Sequence, residues 1–424
     1  MLDTFFQKLK LVIRDEGLRK RILFVIATLA LFRILAVIPI PGIDPIQLAN
    51  FFSNNQFLGL LNIFSGGGLA NLSIVMLGVG PYITASIIMQ LLTIMSPKLK
   101  MMYQEEGEAG RKKFSQYSRL LTVPLAFVQA LGFFILLQRQ GIVADLGMFQ
   151  TVTNVVVIAA GSILLMWIGE LITEFGIGNG VSLIIFAGIV AGLPTALSQL
   201  IFTFDVSQVP LYLGFILIGL IITAGVVIIT EAERPIPITY ARRVRGTKVY
   251  GGISTYLPLR VNQAGVIPII FALAILLFPQ MVFSFLAGIG GEIVSLVSSA
   301  ILGALSNQLF YGILYFLLVF LFTYFYTAVT FDPDTISKNL QRSGAFIPGV
   351  RPGRMTSEYI GKILTRITLV GALFLGFIAV LPLGMQAVTG ITTIAIGGTA
   401  LLIAVSVVLD LVKKIDAQVS IREY

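Results

Sequence analysis

The 424-residue sequence contains no cysteine and no histidine. The absence of cysteine excludes disulfides, thiolate metal sites and thiol nucleophiles. The absence of histidine removes the side chain that most often acts as a general base, a metal ligand or a pH-sensitive group. A hydrolase or a metalloenzyme with this sequence would have to rely on carboxylates, lysines and hydroxyl groups.

Charged residues are also scarce. They make up 12% of the chain, and hydrophobic residues make up 57%, whereas about a quarter of the residues in a soluble domain are charged. This composition is typical of an integral membrane protein. A bilayer core of about 30 Å requires about 20 apolar residues per helix. Ten stretches approach or exceed that length, at residues 22–38, 72–93, 117–137, 152–171, 181–200, 211–230, 265–285, 308–329, 363–381 and 391–412.

The stretches are interpreted as helices, because they are about twice as long as the strands of a membrane barrel. The predicted fold is an all-α polytopic membrane protein with ten transmembrane helices. The first stretch follows a basic segment and resembles a signal peptide, but no small-residue cleavage site follows it and nine further stretches do. We expect it to be retained, with residues 1–21 forming a cytoplasmic amphipathic segment at the membrane surface.

Lysine and arginine are concentrated on one predicted side of the membrane. All of them except Arg33 and Arg139 lie in the N-terminal segment, in or beside the loops after spans two, six and eight, or in the tail at residues 413–424. Cytoplasmic loops carry an excess of these residues. Both termini are therefore expected in the cytoplasm.

The spans divide into two halves of five. Residues 22–200 form the first half and residues 211–412 the second, joined by a short external loop at residues 201–210. Because five is odd, halves with a common fold would lie in opposite orientations, as an inverted repeat with a site at their interface. No repeat is visible at the level of residues, so this symmetry follows from the number of spans alone.

Two of the predicted cytoplasmic loops have a structural plan of their own. Residues 231–262 alternate β-branched or aromatic residues with polar ones, which predicts a protruding hairpin. In residues 330–362, Asp332 can cap a short helix that ends at Gly344, and a rigid Pro-Gly turn follows. The cations of these loops either only fix the topology or dock an anionic partner, which could be ribosomal RNA, an acidic soluble motor or anionic lipid.

Ionisable residues are nearly absent from the middle of the spans. Glu170 and Glu174 lie near the end of span four, and Asp410 lies near the end of span ten. Arg33 lies about 18 Å into span one by helical rise, where a snorkelling or bundle-facing structural cation is one interpretation. Pumps and transporters usually carry ionisable groups at mid-membrane, so whatever crosses here is not expected to be selected by charge coordination.

Seven longer motifs occur along the chain, from about Arg21 to Asp410. They are IPIPGID (38–44), FSGG (64–67), PYITASIIMQLL (81–92), GIGNGVSLIIFAGIVAGLP (176–194), VNQAGVIPIIFA (261–272), GAFIPGVRPG (344–353) and RITLVGALFLG (366–376). In order and in register, they resemble the SecY family of bacterial protein-translocation channels. The resemblance implies two five-helix halves, hinged at residues 201–210, around an hourglass-shaped pore.

The resemblance also implies a movable plug at about residues 60–71, a half-helix that folds back into the outer funnel. The sequence agrees, because residues 58–64 are too short to span a bilayer and three glycines follow, which are poor helix formers. Irregular backbone at membrane depth is tolerated where it lines a protein cavity. A re-entrant structural loop is the alternative. The expected plug residues are Asn62, Phe64, Ser65, Gly66, Gly67 and Gly68.

Three further sets of residues follow from the same resemblance. The family's pore ring corresponds to Val79, Ile83, Val181, Ile185, Ile270 and Ile403, which would otherwise be ordinary core or lipid-facing aliphatics. As a ring they would form an apolar gasket that resists ion flow. Channels of this family also have a lateral gate, which opens between spans two–three and seven–eight. Gln90 and Asn262 are expected there as polar latch residues. Partner docking is expected at Arg242, Arg243, Arg245, Lys248, Arg351 and Arg354.

The chain departs from the family pattern at three places. Thr247 replaces a cation that many relatives carry, which weakens the docking interpretation at that tip, although Lys248 remains. Gly68 replaces a frequent alanine and suggests a softer plug. The tail after residue 412 is short, so interactions made by the tail are expected to be reduced.

The resemblance implies a function as the central pore subunit of a channel in the bacterial plasma (inner) membrane. This channel would translocate unfolded secretory polypeptides across that membrane and release transmembrane segments laterally into lipid. No catalysis, cofactor or metal is expected; energy would come from the SecA ATPase or the translating ribosome. Small SecE and SecG subunits, signal peptides, unfolded preproteins and anionic lipids are the other expected partners. The alternative is a secondary transporter of a small solute with an inverted-repeat fold, for which the sequence shows no polar solute site. A purely structural scaffold would leave the plug without a role.

Overall fold

The computed structural model describes residues 14–41, 62, 65, 67–69, 71–139, 143, 147–202, 209–240, 243–245, 248–250, 254–289, 291–389 and 392–422. Most of these residues are helical. In the first half of the chain the helices are α1 (Glu16–Leu35), α2 (Gly80–Met95), α3 (Pro97–Gln104), α4 (Gly107–Arg139), α5 (Met148–Phe175) and α6 (Gly180–Phe202). In the second half they are α7 (Val209–Glu231), α8 (Ile267–Ile289), α9 (Glu292–Ser306), α10 (Gln308–Thr330), α11 (Pro333–Arg342), α12 (Arg354–Thr389) and α13 (Thr392–Arg422).

Each of the ten predicted spans overlaps one of these helices, so the all-α membrane fold is confirmed. Among the described residues, four helical stretches are each long and apolar enough to cross a membrane: Gly107–Ile135, Met148–Phe175, Gln308–Arg342 and Arg354–Gln386. Gly80–Met95 and Pro97–Tyr103, bent by 118°, together form a possible fifth span. The number ten and the inverted symmetry of the halves stay predictions.

Span two begins later than the sequence predicts. Residues 71–79 form turns, and α2 starts only at Gly80, with a proline in its first turn. Gly78 has a φ of 57°, and the backbone N–H of Ile74 donates to Ile38 O at 3.0 Å. Hydropathy alone extended the span to residue 72, because it cannot detect that this apolar backbone is bonded to the chain that follows α1.

Two other differences concern the ends of helices. The short helix α9 was not predicted, because its 15 residues fall below the length of a span. Helix α13 continues through Arg422, so most of the predicted tail extends the last helix. Its Val419 is buried together with Leu18 of α1 and Ile177 of the α5–α6 turn, which ties the end of the second half to the first.

The predicted hairpin is present as two antiparallel pairs of strands. Strands β1 (Glu233–Tyr240) and β4 (Ser254–Arg260) form its base, and β2 (Arg243–Arg245) and β3 (Lys248–Tyr250) form its tip. The two-residue strand β5 (Ala345–Phe346) pairs with the other edge of β1, giving the strand order β4-β1-β5. The two predicted cytoplasmic loops therefore share one sheet.

The short helix between spans eight and nine also follows the prediction. The Asp332 side chain accepts from the backbone N–H of Asp334 at 3.1 Å, and Pro333 occupies the first helical position. Gly344, with a φ of 70°, follows the end of the helix. Together with the sheet and the start of α12, this helix encloses a small apolar core that includes Ile236, Leu259, Ile347 and Ile360.

One large apolar cluster fills the membrane-spanning part and joins the two halves. The halves meet where α8 packs on α2 and α4, and where α13 packs on α6. Glycines permit the closest backbone approaches inside the first half. A Cβ on Gly180 would lie 1.9 Å from Gly169 O, so only glycine allows α6 to start so close to α5.

Candidate functional site

A cavity of about 410 Å³ lies between the two halves. Its walls come from α2, α4, α5 and α6 of the first half and from α8 and α10 of the second. It lies at the end of the bundle where α2, α5 and α10 finish and where α4, α6 and α8 begin. These are the helix ends that lead to the cationic loops, so the cavity occupies the predicted cytoplasmic side.

The inner part of the cavity is apolar and contains four of the six predicted ring residues, Ile83, Val181, Ile185 and Ile270. Ile83, Ile185 and Ile270 are buried, and Val181 packs against them. Since they come from α2, α6 and α8, the sequence-distant motifs converge on one layer between the halves.

The other two predicted ring residues, Val79 and Ile403, lie outside the cavity wall but are fully buried in the same cluster. Val79 caps α2, and its carbonyl accepts from the N–H of Ile83 at 3.0 Å. The two side chains are therefore one turn apart, as the spacing predicts. All six predicted ring residues therefore belong to, or pack against, one apolar cluster.

The outer part of the cavity is polar. Arg119 of α4 forms an ion pair with Glu170 of α5, with Nε and Oε1 2.6 Å apart, and both side chains line the cavity. At the start of α6, Asn179 Oδ1 accepts from the N–H groups of Val181 and Ser182, at 3.1 and 3.3 Å. A polar mouth thus leads to an apolar floor.

Sequence reasoning missed two polar links between neighbouring helices. The Arg119–Glu170 pair joins residues 51 positions apart, and neither residue carries a local sign of its partner. Gln129 of α4 donates to Thr84 Oγ1 of α2 at 3.4 Å, and both side chains are buried. The isolated glutamine within an apolar span was the only available signal for the second link.

The described part of the plug is a set of tight turns packed inside the bundle. Ser65 is fully buried; its hydroxyl donates to Asn62 O and accepts from the N–H of Leu69, both at 2.9 Å. The N–H of Gly67 also donates to Asn62 O, at 2.8 Å. Gly68 packs so closely on Ser73 that a Cβ would lie 2.8 Å from its hydroxyl. Phe64 and Gly66 lie outside the described residues.

The turn at Gly67 lies beyond the apolar layer as seen from the cavity. A Cβ on Gly67 would be 3.8 Å from Gly188 O of α6. Along α6, Asn179 and Ser182 lie at the mouth, Val181 and Ile185 form part of the layer, and Gly188 is a further three residues on, or about 4.5 Å by helical rise. The mouth, the layer and the plug therefore follow one another along the same helix.

The two predicted latch residues bond locally in this structure. Gln90 Nε2 donates to Ser86 Oγ at 3.3 Å, and Asn262 Nδ2 donates to Gly265 O at 3.2 Å. Within the described chain, Gln90 Oε1 and Asn262 Oδ1 are both buried without a hydrogen-bond partner. Helix α8 packs against α2 and α4, and Gln90 of α2 lines the cavity between the halves. Asn262 lies before α8 and next to Gly371 of α12, so the structure does not bring the two residues together.

The predicted docking cations fall into two groups. Arg243 and Arg245 belong to β2 and Lys248 to β3, at the tip of the hairpin, while Arg242 lies outside the described residues. Arg351 lies on the turn before α12 and Arg354 is the first residue of α12; both are exposed. Because β5 pairs with β1, the hairpin and this turn belong to one cationic platform, defined here as β1–β5, α11 and residues 347–354.

Comparison with known proteins assigns the family. The SecY family model matches residues 73–412. Protein translocase subunit SecY of Synechocystis sp. is 42% identical over 436 residues, covering 100% of this chain and 96% of that protein. The protein of the same name from Escherichia coli strain K12 is 43% identical over 416 residues, covering 96% and 93%. This chain belongs to the SecY family.

Family membership gives the chain its general activity. It is a bacterial membrane protein and the channel subunit of a protein translocase, not itself an enzyme. The alternative of a small-solute transporter is not supported. The name of the family leaves open which residues form the gate and which partners bind.

Solved structures of the same fold include SecY and Sec61 channels. A SecY channel studied for a plug domain that stabilises its closed state superposes with a TM-score of 0.65 at 22% identity, covering 94% of this chain and 92% of that one. Sec61 in the canine ribosome–channel complex superposes with a TM-score of 0.60 at 20% identity and the same coverage. At sequence identities of 20–22%, this structural similarity establishes the fold of the chain.

Proposed function

We propose that polypeptides cross between the two halves, through the apolar layer at the floor of the cavity. The proposed ring is Val79, Ile83, Val181, Ile185, Ile270 and Ile403. The observation that carries this proposal is the convergence of Ile83, Val181, Ile185 and Ile270 on one cavity between the halves.

The chemistry of the layer suits an unfolded chain better than a small solute. Aliphatic side chains make no directional bonds, so they can close around any extended polypeptide without selecting its sequence. When narrow, an apolar constriction also resists wetting and ion flow. The polar mouth, with the Arg119–Glu170 pair and Gln90, would receive the hydrated chain before it meets the ring.

The plug is proposed to seal the far side of the ring. Its turn at Gly67 lies next to α6, one turn beyond Ile185. The hydroxyl of Ser65 and the N–H of Gly67 bond within the turn, so these two groups stay paired when the turn moves. The base of the segment is bonded elsewhere, where Asn71 donates to Ala36 O. When the plug moves, helix α2 remains in place as part of the wall of the path.

Sideways release of apolar segments is proposed at the seam between α2–α4 and α8–α10. Gln90 and Asn262 each keep one buried oxygen without a partner in the described chain, and an unsatisfied buried acceptor costs about 1–3 kcal/mol. Opening the seam would let these oxygens meet water or substrate. The closed seam is therefore weakened at two points, which suits a gate.

The cationic platform is proposed to receive the partners that supply substrate and energy. Sec61, which shares this fold, is known in a ribosome–channel complex, and phosphate-rich RNA is bound by clusters of lysine and arginine. Arg351 is proposed to take part in the response to the SecA motor. The proposal also includes SecE and SecG as membrane subunits, and signal peptides and anionic lipids as further partners. It places the chain in the inner membrane, with both termini in the cytoplasm.

Disulfide capture tests the proposed path. The natural chain has no cysteine, so a single Ile83→Cys variant can be reconstituted with SecE, SecG and SecA and given a stalled secretory chain that carries one cysteine. A disulfide between the two is expected. As a matched control, Leu217→Cys places the thiol on an exposed, lipid-facing position of α7 and should not link. Translocation without any link at residue 83 would show that the ring is assigned wrongly.

A further inference from the structure

Arg33 is a cation in the last turn of α1, within the membrane-spanning part of the first half. The structure directs its side chain into the bundle, where it is partly buried. Its Nη1 atom lies 3.3 Å from the position that a Cβ on Gly67 would take. The guanidinium therefore packs directly on the plug turn, which a merely snorkelling cation would not do.

The plug turn lies close to both α1 and α6 at this point. Gly67 has a φ of 82°, and its N–H is bonded to Asn62 O at 2.8 Å. Arg33 Nη1 lies 3.3 Å and Gly188 O of α6 lies 3.8 Å from the position that a Cβ on Gly67 would take. The φ favours glycine here, and a Cβ would also press on the guanidinium.

The end of α1 also binds the base of the plug. Asn71 Nδ2 donates to Ala36 O at 3.2 Å, and the N–H of Ile40 donates to Leu72 O at 3.0 Å. The segment that carries Arg33 is thus the fixed element against which the plug is set.

The energetics favour a role in the closed state. A guanidinium within a membrane is costly unless it faces polar groups, and it offers five donors in a planar fork. A turn with its backbone carbonyls is a suitable neighbour for such a group. When the plug leaves, Arg33 is separated from this neighbour, so its burial favours the closed position.

We infer that Arg33 is a positioning residue that holds the plug in the closed channel by packing its guanidinium on the turn at Gly67. This inference rests on the proposed role of residues 60–71 as the plug. It goes beyond the dipole effect of a cation at a helix C-terminus, because it assigns the side chain to the gate.

Arg33→Met, reconstituted with its membrane partners in proteoliposomes, tests the inference through ion leak and through translocation of a secretory chain with a weakened signal sequence. Removing a charged group that packs on a buried turn should shift the opening equilibrium by roughly tenfold or more. Leak and weak-signal translocation should both rise. Leak and weak-signal translocation at the wild-type level, in a variant that translocates a normal secretory chain, would overturn the inference. Arg366→Met removes an exposed arginine from α12 and should leave both values at the wild-type level.

Two further variants separate this inference from the plug proposal itself. Gly67→Ala strains the plug turn directly and should also raise the leak. A leak in Gly67→Ala but not in Arg33→Met would overturn the role of Arg33 and keep the plug; no leak in either would overturn the plug proposal and this inference with it. Arg33→Lys should seal only partly, and full sealing by lysine would assign the effect to the charge at the helix end and overturn the inference.

Discussion

The apolar layer and the cationic platform are built in opposite ways within one chain. The layer is assembled from aliphatic side chains on helices of both halves and is buried. The platform belongs to the second half, is built from short strands and one short helix around a small core, and exposes Arg351 and Arg354 at its surface. On the proposed function, the region that passes any sequence uses non-directional packing, and the region that receives a partner carries its charges on a frame of strands and a helix.

Polar substitution in the layer should give the largest effect. Ile83→Ser combined with Ile270→Ser removes two buried isoleucines, and truncating a large buried aliphatic side chain costs about 2–5 kcal/mol of packing. The closed state should then wet and leak ions, while partner binding at the platform stays normal. Ion conductance of proteoliposomes measures this.

The control is a pair of serines on a lipid-facing surface, Ile216→Ser with Ile221→Ser on α7, where both isoleucines are exposed. This pair should not raise the leak. Normal leak in the Ile83/Ile270 variant would contradict the assignment of both residues to the ring.

Removing one side chain from the platform core should impair partner binding and leave the apolar layer intact. Ile347 is buried between the sheet and α12, and Ile347→Ala should destabilise the platform by about 2–5 kcal/mol. Proteolysis between residues 345 and 353 should quicken and partner binding should weaken, with the ion leak unchanged. Met355→Ala, at an exposed position, is the control; a leak in Ile347→Ala would show that the two regions are not independent.

Charge reversal at the hairpin tip should weaken docking more gently. Arg243→Glu with Lys248→Glu should lower affinity for ribosomes, and the dependence of binding on salt should become less steep by about one unit for each phosphate that is no longer neutralised. Binding measured at several salt concentrations gives both values. Lys112→Glu with Lys113→Glu changes the net charge equally on exposed residues before span three. Equal binding by the two variants would mean that the hairpin has no special part in docking.

The smallest expected effects lie in the short helix of the platform. Asp332→Ala removes the cap that accepts from the N–H of Asp334 and should cost about 1 kcal/mol. Glu358→Ala breaks the exposed pair with Arg354, which is worth about 0–1 kcal/mol. Thermal unfolding of the two variants should rank them in this order, and a larger destabilisation in Glu358→Ala would mean that the turn at Arg354 depends on its ion pair.

The parts of the fold that sequence predicts are those with local causes. The hairpin at 231–262 and the cap at Asp332 follow from alternation and from one side chain, and each predicted span contains a helix because hydropathy is a property of a segment. The start of α2 at Gly80, the pairing of β5 with β1 and the Arg119–Glu170 ion pair were not predicted. Each depends on a distant partner: the chain after α1, a strand far earlier in the sequence, or a neighbouring helix.

The candidate site shows the same division. From the residues alone, Ile83, Val181 and Ile270 were ordinary aliphatics, and only the family resemblance grouped them. The structure places them in one cavity. It also adds the Arg119–Glu170 pair and the packing of Arg33 on Gly67. The only trace of the second contact in the sequence is the unusual charge of Arg33 within a span.

A reversible lock across the proposed gate tests the path between the halves most directly. In the cysteine-free chain, Ile83→Cys and Ile270→Cys place one thiol on α2 and one on α8, on the wall of the same cavity. A bifunctional thiol reagent that bridges the two cysteines through disulfides should stop translocation, and reduction should restore it, because polypeptide has to pass between these helices. Full translocation with the bridge completely formed would contradict a path between the two halves.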